Sequence, residues 1–87
     1  MKIDRSEAFK KDFQRLSKEL KRAAEKQIVQ LLIDHSHPSL RLEGISGHKG
    51  LFSVRVNDRY RMSLSFEEDG VILLRHVLDH DDLYEGP

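Results

Sequence analysis

The sequence predicts an α+β domain of order β-α-α-β-β-β, a helical hairpin packed on a small twisted antiparallel sheet. Three observations predict it. Apolar residues recur at helical spacing before Pro38, they alternate with polar residues after Gly50, and the stretch between is punctuated by glycine.

Met1-Lys2-Ile3-Asp4 reads as a short edge strand. Asp4 or Ser6 can cap the helix that follows, and Asp4 with Glu7 has capping-box spacing. The first helix is expected over Ser6–Ser17, because Phe9, Phe13, Leu16 and Leu20 fall on one helical face. The second is expected over Leu20–Asp34, with Ala24, Ile28, Leu31 and Leu32 as its buried stripe. A break near Ser17–Leu20 gives the hairpin. One continuous helix over 6–34 would run some 40 Å with too little domain to cover it. Pro38 disfavours a helical His37 and ends the helical region. Ser39–Gly50, with Gly44, Gly47 and Gly50, reads as a loop.

From there the period is two. Phe52, Val54 and Val56 alternate with Ser53, Arg55 and Asn57 in a strand over Leu51–Asn57. After the Asn57-Asp58-Arg59 turn, Tyr60, Met62, Leu64 and Phe66 alternate with Arg61, Ser63 and Ser65. Glu68-Asp69-Gly70 is a second turn, and Val71–Leu78 is apolar enough to be a central strand covered on both sides. If the helices take the apolar face, the other face displays Arg55 and Arg61 together. Arg75 joins them if strand 71–78 turns its odd-numbered residues that way; the other register turns Ile72, Leu74 and His76 there, and the pattern leaves both open.

Bulk properties bound the function. The 87 residues make one domain, spanning 1–87, whose small core buries about 60–65% of the unfolded surface. With no cysteine, disulfides and Cys-based zinc sites are excluded. No apolar run is long enough for a membrane span or a signal peptide, so the expected setting is the cytoplasm, with no membrane partner. Net charge is zero but unevenly placed: +3 over residues 1–34, +3 over 35–66 and −6 over 67–87. A mildly basic body permits phosphate contact, while overall neutrality argues against tight binding by charge alone.

The chemistry-bearing residues follow from that layout. Arginines on one sheet face, with Arg59 in the turn and His48 and Lys49 in the glycine-rich loop, could hold a phosphodiester. Metal-free RNA cleavage needs a base for the 2′-OH, cations for the transition state and an acid for the leaving oxygen. Arg61 and Arg55 are the candidate cations, and His80 and Tyr84 the candidate proton carriers, with Glu43 and His76 behind them. The plain alternative is that strand arginines are solvated surface, Tyr84 a packing residue and His76 a core histidine. Lys10, Lys11, Lys18, Lys21, Arg22 and Lys26 read as a solvated helix face that could also grip RNA. His76 and His80, four apart and near Asp79, Asp81 and Asp82, would share a face only on a helix; the first lies in an expected strand, so no metal or other cofactor is expected.

The order of these motifs resembles the RelE/ParE superfamily of bacterial toxins. The likeness rests on Leu42-Glu43-Gly44, on Gly50-Leu51-Phe52-Ser53-Val54-Arg55-Val56-Asn57-Asp58-Arg59-Tyr60-Arg61, and on Val71–Val77 followed by Asp79-His80-Asp81-Asp82-Leu83-Tyr84. The helical hairpin before Pro38 matches in order and size. The resemblance implies the toxin of a type II toxin–antitoxin pair, with a cognate antitoxin as partner. RelE-like and YoeB-like members cleave mRNA on the ribosome without metal, by 2′-OH attack, and so inhibit translation. On that pattern Arg61, Arg55, His80, Tyr84 and Glu43 take the catalytic positions, while Lys49, His48, Arg59 and Arg75 are RNA-binding candidates from the basic strand face, turn and loop. The neutral charge and acidic tail depart from basic RelE-like ribonucleases. They keep two other readings in view, a ParE-like gyrase-binding toxin and a non-catalytic interaction module.

Overall fold

The computed structural model describes residues Met1–Pro87. The chain runs through strand β1 (Lys2–Arg5), helices α1 (Glu7–Gln14) and α2 (Lys18–Ile33), a 3-10 turn at Pro38–Leu40, strands β2 (Glu43–Gly44), β3 (Phe52–Arg55) and β4 (Tyr60–Glu67), a second 3-10 turn at Glu68–Gly70, strand β5 (Val71–Asp79) and helix α3 (His80–Glu85). The five strands form one sheet in the order β1-β5-β4-β3-β2. It is antiparallel from β2 to β5, and β1 joins its edge in parallel beside Val71–Leu74.

Serines set where the helices begin. Ser6 is the cap of α1, its side chain accepting from the Phe9 amide at 3.0 Å, so Ser6 and not Asp4 has that role. Asp4 lies within β1, where extended backbone takes it out of capping geometry. Ser17 caps α2 in the same way, accepting from the Leu20 amide. The helical break therefore falls at Arg15–Ser17, a turn earlier than the apolar spacing suggests. Phe9, Leu16, Ala24, Ile28 and Leu31 from the helices meet Val54, Val56, Met62, Leu64, Ile72, Leu74 and Val77 from the sheet in one buried cluster. Leu32 was expected in that stripe but is 44% exposed. The place at the helix–sheet seam goes to Gln27, which is buried and donates to the Ser39 and Arg55 carbonyls. One carbonyl belongs to the 3-10 turn and the other to the last residue of β3, so an amide serves there better than a methyl group.

Two further features differ from the sequence reading. The 39–50 loop contains β2, whose Glu43 and Gly44 pair with Ser53 and Phe52. Strand β5 is second from the edge rather than central, with β4 in the middle. Its pairing with β4 shifts between Ser63↔His76 and Leu64↔Leu74, which leaves Arg75 as an extra, bulged residue. The bulge settles the open register by changing it midway. Ile72 and Leu74 face the core before it, and Val77 after it. The turn into β5 uses left-handed backbone at both Asp69 and Gly70, a conformation these two residue types tolerate.

Beyond Leu74 the outer edge of β5 has no strand partner, because β1 pairs only as far as Arg5↔Leu74. Helix α1 fills the gap with side chains. The Ser6 hydroxyl donates to the Arg75 carbonyl at 2.8 Å, and the Asp12 carboxylate accepts from the Val77 amide at 3.2 Å and from His76 Nδ1 at 2.8 Å. Asp12→Ala removes both of those contacts and leaves the Val77 amide unpaired in a part-buried site. The expected cost is about 1–3 kcal/mol, read as a fall of roughly 4–8 °C in Tm per kcal/mol. Thermal unfolding followed by circular dichroism checks it, and an unchanged Tm would refute the role given to Asp12.

Candidate functional site

The polar face of the β3–β4 hairpin was expected to lie open. The structure closes most of it. Ser53, Ser63 and Ser65 are buried; the C-terminal segment reaches the first two, and the Ser65 hydroxyl donates to Glu67 at 2.6 Å. Tyr84 Oη and Ser53 Oγ share a hydrogen bond of 3.1 Å, Ser63 Oγ donates to a main-chain oxygen of Pro87 at 3.0 Å, and Leu83 of α3 is fully buried. Hydroxyls under a covering helix find partners there, and no buried side-chain nitrogen or oxygen lacks one. What stays accessible is the rim at the turn end of the hairpin.

Arg55 and Arg61 are direct cross-strand partners, as the alternation predicts. The turn between them is built by Asn57, whose side-chain oxygen accepts from the Arg59 amide at 2.9 Å and the Tyr60 amide at 2.7 Å. Arg61 curls back onto that turn, its Nη1 donating to the Asn57 and Tyr60 carbonyls. Its Nε and Nη2 have no protein partner and are free to meet an anion. Arg55 donates through Nη2 to the Asp58 carboxylate. Arg59 reaches across to Asp79 with two bonds, Nε at 3.1 Å and Nη2 at 2.8 Å to one carboxylate oxygen. The His80 amide then donates to the Arg59 carbonyl at 2.6 Å, which fastens the start of α3 to the turn.

Asp58, Arg59, Arg61, Asp79, His80 and Asp81 line an open depression of about 390 Å³. A neighbouring depression of about 400 Å³ is lined by Glu43, Gly44, Ile45, Ser46 and Tyr84. The His80 and Tyr84 rings join the two, meeting edge to face at 4.7 Å between centroids. His80 Nδ1 also donates to Asp81 at 3.3 Å. Five of the residues singled out from sequence, Arg61, Arg59, His80, Tyr84 and Glu43, therefore line two adjoining hollows, with Arg55 on the strand beside Arg61. The remaining three lie apart. Lys49 and His48 are exposed on the loop between β2 and β3, with no side-chain bond to the arginine pair. Arg75 sits in the β5 bulge, about 10 Å along the strand from the position opposite Arg61, and its Nε donates to Pro87 at 3.2 Å.

Electrostatics at the rim are balanced rather than basic. Arg55, Arg59 and Arg61 face Asp58, Asp79 and Asp81. Sequence reasoning missed these acids as partners of the arginines. Asp58 had a signal in its place within the turn, and Asp79 in falling opposite Tyr60 at the strand end. No three His, Asp or Glu side chains converge as metal ligands; His76 is turned to Asp12 while His80 starts α3. The hydrogen bond from Arg59, then that from the Asp81 amide, holds the Asp79 carboxyl below its ordinary value of 3.8, and the same pairing raises Arg59. A depressed folded-state pKa gives stability that is present above the unfolded value and lost as pH falls through the folded one. Asp79→Asn keeps the capping oxygen that receives the Asp81 amide and removes the charge. It is expected to lower Tm above pH ~4, with the deficit shrinking as the pH falls below that point. A deficit that stays constant with pH in differential scanning calorimetry would show that the charge on Asp79 does not matter.

No family model and no curated protein sequence matches the chain. Solved structures do match. A YoeB/ParE toxin from Agrobacterium tumefaciens superposes with a TM-score of 0.79 at 16% identity, over 92% of this chain and 99% of that one. A chain of the RelB–RelE antitoxin–toxin complex from Methanococcus jannaschii gives 0.74 at 19% identity, over 95% and 98%. YafQ from E. coli gives 0.71 at 21% identity, over 94% and 96%. The likeness runs nearly end to end in each, and at these identities it is a likeness of fold. The three-helix, five-stranded architecture of this chain is the fold of those YoeB/ParE, RelE and YafQ toxin structures.

Proposed function

We propose that the protein is the toxin of a type II toxin–antitoxin pair and acts as a metal-independent endoribonuclease on mRNA held by the ribosome. The observation that carries this reading is the cross-strand Arg55–Arg61 pair, opening beside His80 and Tyr84 on a RelE/YoeB-type fold. The free Nε and Nη2 of Arg61 form a planar fork suited to a phosphate in the transition state. His80, half exposed, is the proton carrier that lines the Arg61 hollow, and Tyr84, edge-on to His80, lines the neighbouring one with Glu43. Arg59 positions the rim through Asp79 rather than meeting RNA with all its donors. The RelE-type and YoeB-type neighbours are crystallised with RelB and YefM, and YafQ with DinJ, which supports a cognate antitoxin for this chain. A gyrase-binding reading is not favoured, since the neighbours are mostly RelE, YoeB and YafQ structures.

The test is to map new mRNA 5′ ends in a translating extract. Wild-type protein is expected to generate them, and Arg61→Ala to slow their appearance by about a hundredfold or more, the loss typical of one preorganised transition-state donor. Arg61→Lys keeps the charge but not the fork, so it is expected to recover only part of the rate. Folded wild-type protein that cuts nothing would end the nuclease reading and leave a binding module.

A further inference from the structure

The acids at the rim have unequal duties. Asp79 binds Arg59 twice and also caps α3, so it is part of the frame. Asp58 stands at the tip of the turn with its side chain 90% exposed. Its carboxylate has one partner, Arg55 Nη2, and the turn itself is made by Asn57, so the fold does not need Asp58. Arg55 by contrast is 29% exposed, held in the strand beside Arg61. An exposed anion is thus bound to one of the two guanidinium groups that a phosphate would use.

We propose that Asp58 is an internal competitor for RNA phosphate, occupying Arg55 in the free protein and yielding it when a polyanion arrives. This rests on the RNA-binding reading above. The exchange is feasible because an exposed ion pair between residues three apart is weak, within about 0.2–1 kcal/mol. A strand that brings several phosphates to the rim offsets that loss through its other contacts, whereas a single phosphate does not. Asp58 therefore lowers affinity for isolated phosphates and nucleotides relative to an RNA strand.

The test is binding of a short labelled single-stranded RNA, followed by fluorescence anisotropy across a salt series. Asp58→Asn keeps the size of the side chain and removes the competitor. It is expected to bind about 1.4- to fivefold tighter, the range of an exposed ion pair. The slope of log affinity against log salt should stay close to that of the wild type, because Arg55 meets its phosphate in both complexes and only the cost of freeing it differs. In an Arg55→Ala background the same substitution should give a clearly smaller gain. An equal gain in both backgrounds, or none in either while Arg55→Ala still weakens binding, overturns the competition and leaves the RNA reading standing. Binding that neither Arg55→Ala nor Arg61→Ala weakens sinks the RNA reading itself, and the competition with it.

Discussion

The half-paired edge of β5 is the constraint on which the rest of the molecule depends. A strand edge carries main-chain donors and acceptors that need partners once buried, and β1 supplies them only as far as Leu74. Ser6 and Asp12 supply the next ones, and in doing so they fix α1 against the strand. Ser6 does two tasks with one hydroxyl, capping α1 and donating to the Arg75 carbonyl. The bulge falls at that same residue. Where the edge changes partner, the strand also changes which parity faces the core.

That change of parity shapes the opposite face. Past the bulge, Val77 keeps the core continuous, while Arg75 is carried toward the C-terminal segment, where it meets Pro87. The same segment binds the serine hydroxyls of β3 and β4, so the middle of the polar face becomes interior. The part of that face left accessible is the far end of the hairpin. There the Asn57 turn, the Arg59–Asp79 pair and the first residue of α3 form one bonded frame around Arg61. The frame is charge-balanced, its arginines set against Asp58, Asp79 and Asp81.

Much of this was legible in the sequence, for physical reasons that differ by element. The period-two alternation from Phe52 to Phe66 fixes which residues share a face, so the Arg55–Arg61 pairing could be read without coordinates. Helical spacing gave both helices, although their ends were set by Ser6 and Ser17 caps that the apolar pattern does not report. Leu32 misled because a stripe of spacing three and four admits neighbours on either side, and Gln27 was preferred for its hydrogen bonds. His80 and Tyr84 were candidates for their proton-carrying chemistry, and the RelE/ParE resemblance gave the same two residues catalytic positions.

By itself, then, the sequence determined the element order, the apolar layer and the side of the hairpin on which its arginines stand, because those follow from local periodicity. Only the tertiary structure decided that the polar face is covered, that Arg75 leaves the arginine pair, and that Asp58 and Asp79 are the partners of Arg55 and Arg59. These are contacts between segments distant in sequence, or between side chains whose direction the turn decides. They arise from unpaired polar groups finding partners once the core has closed, and no periodicity records that search.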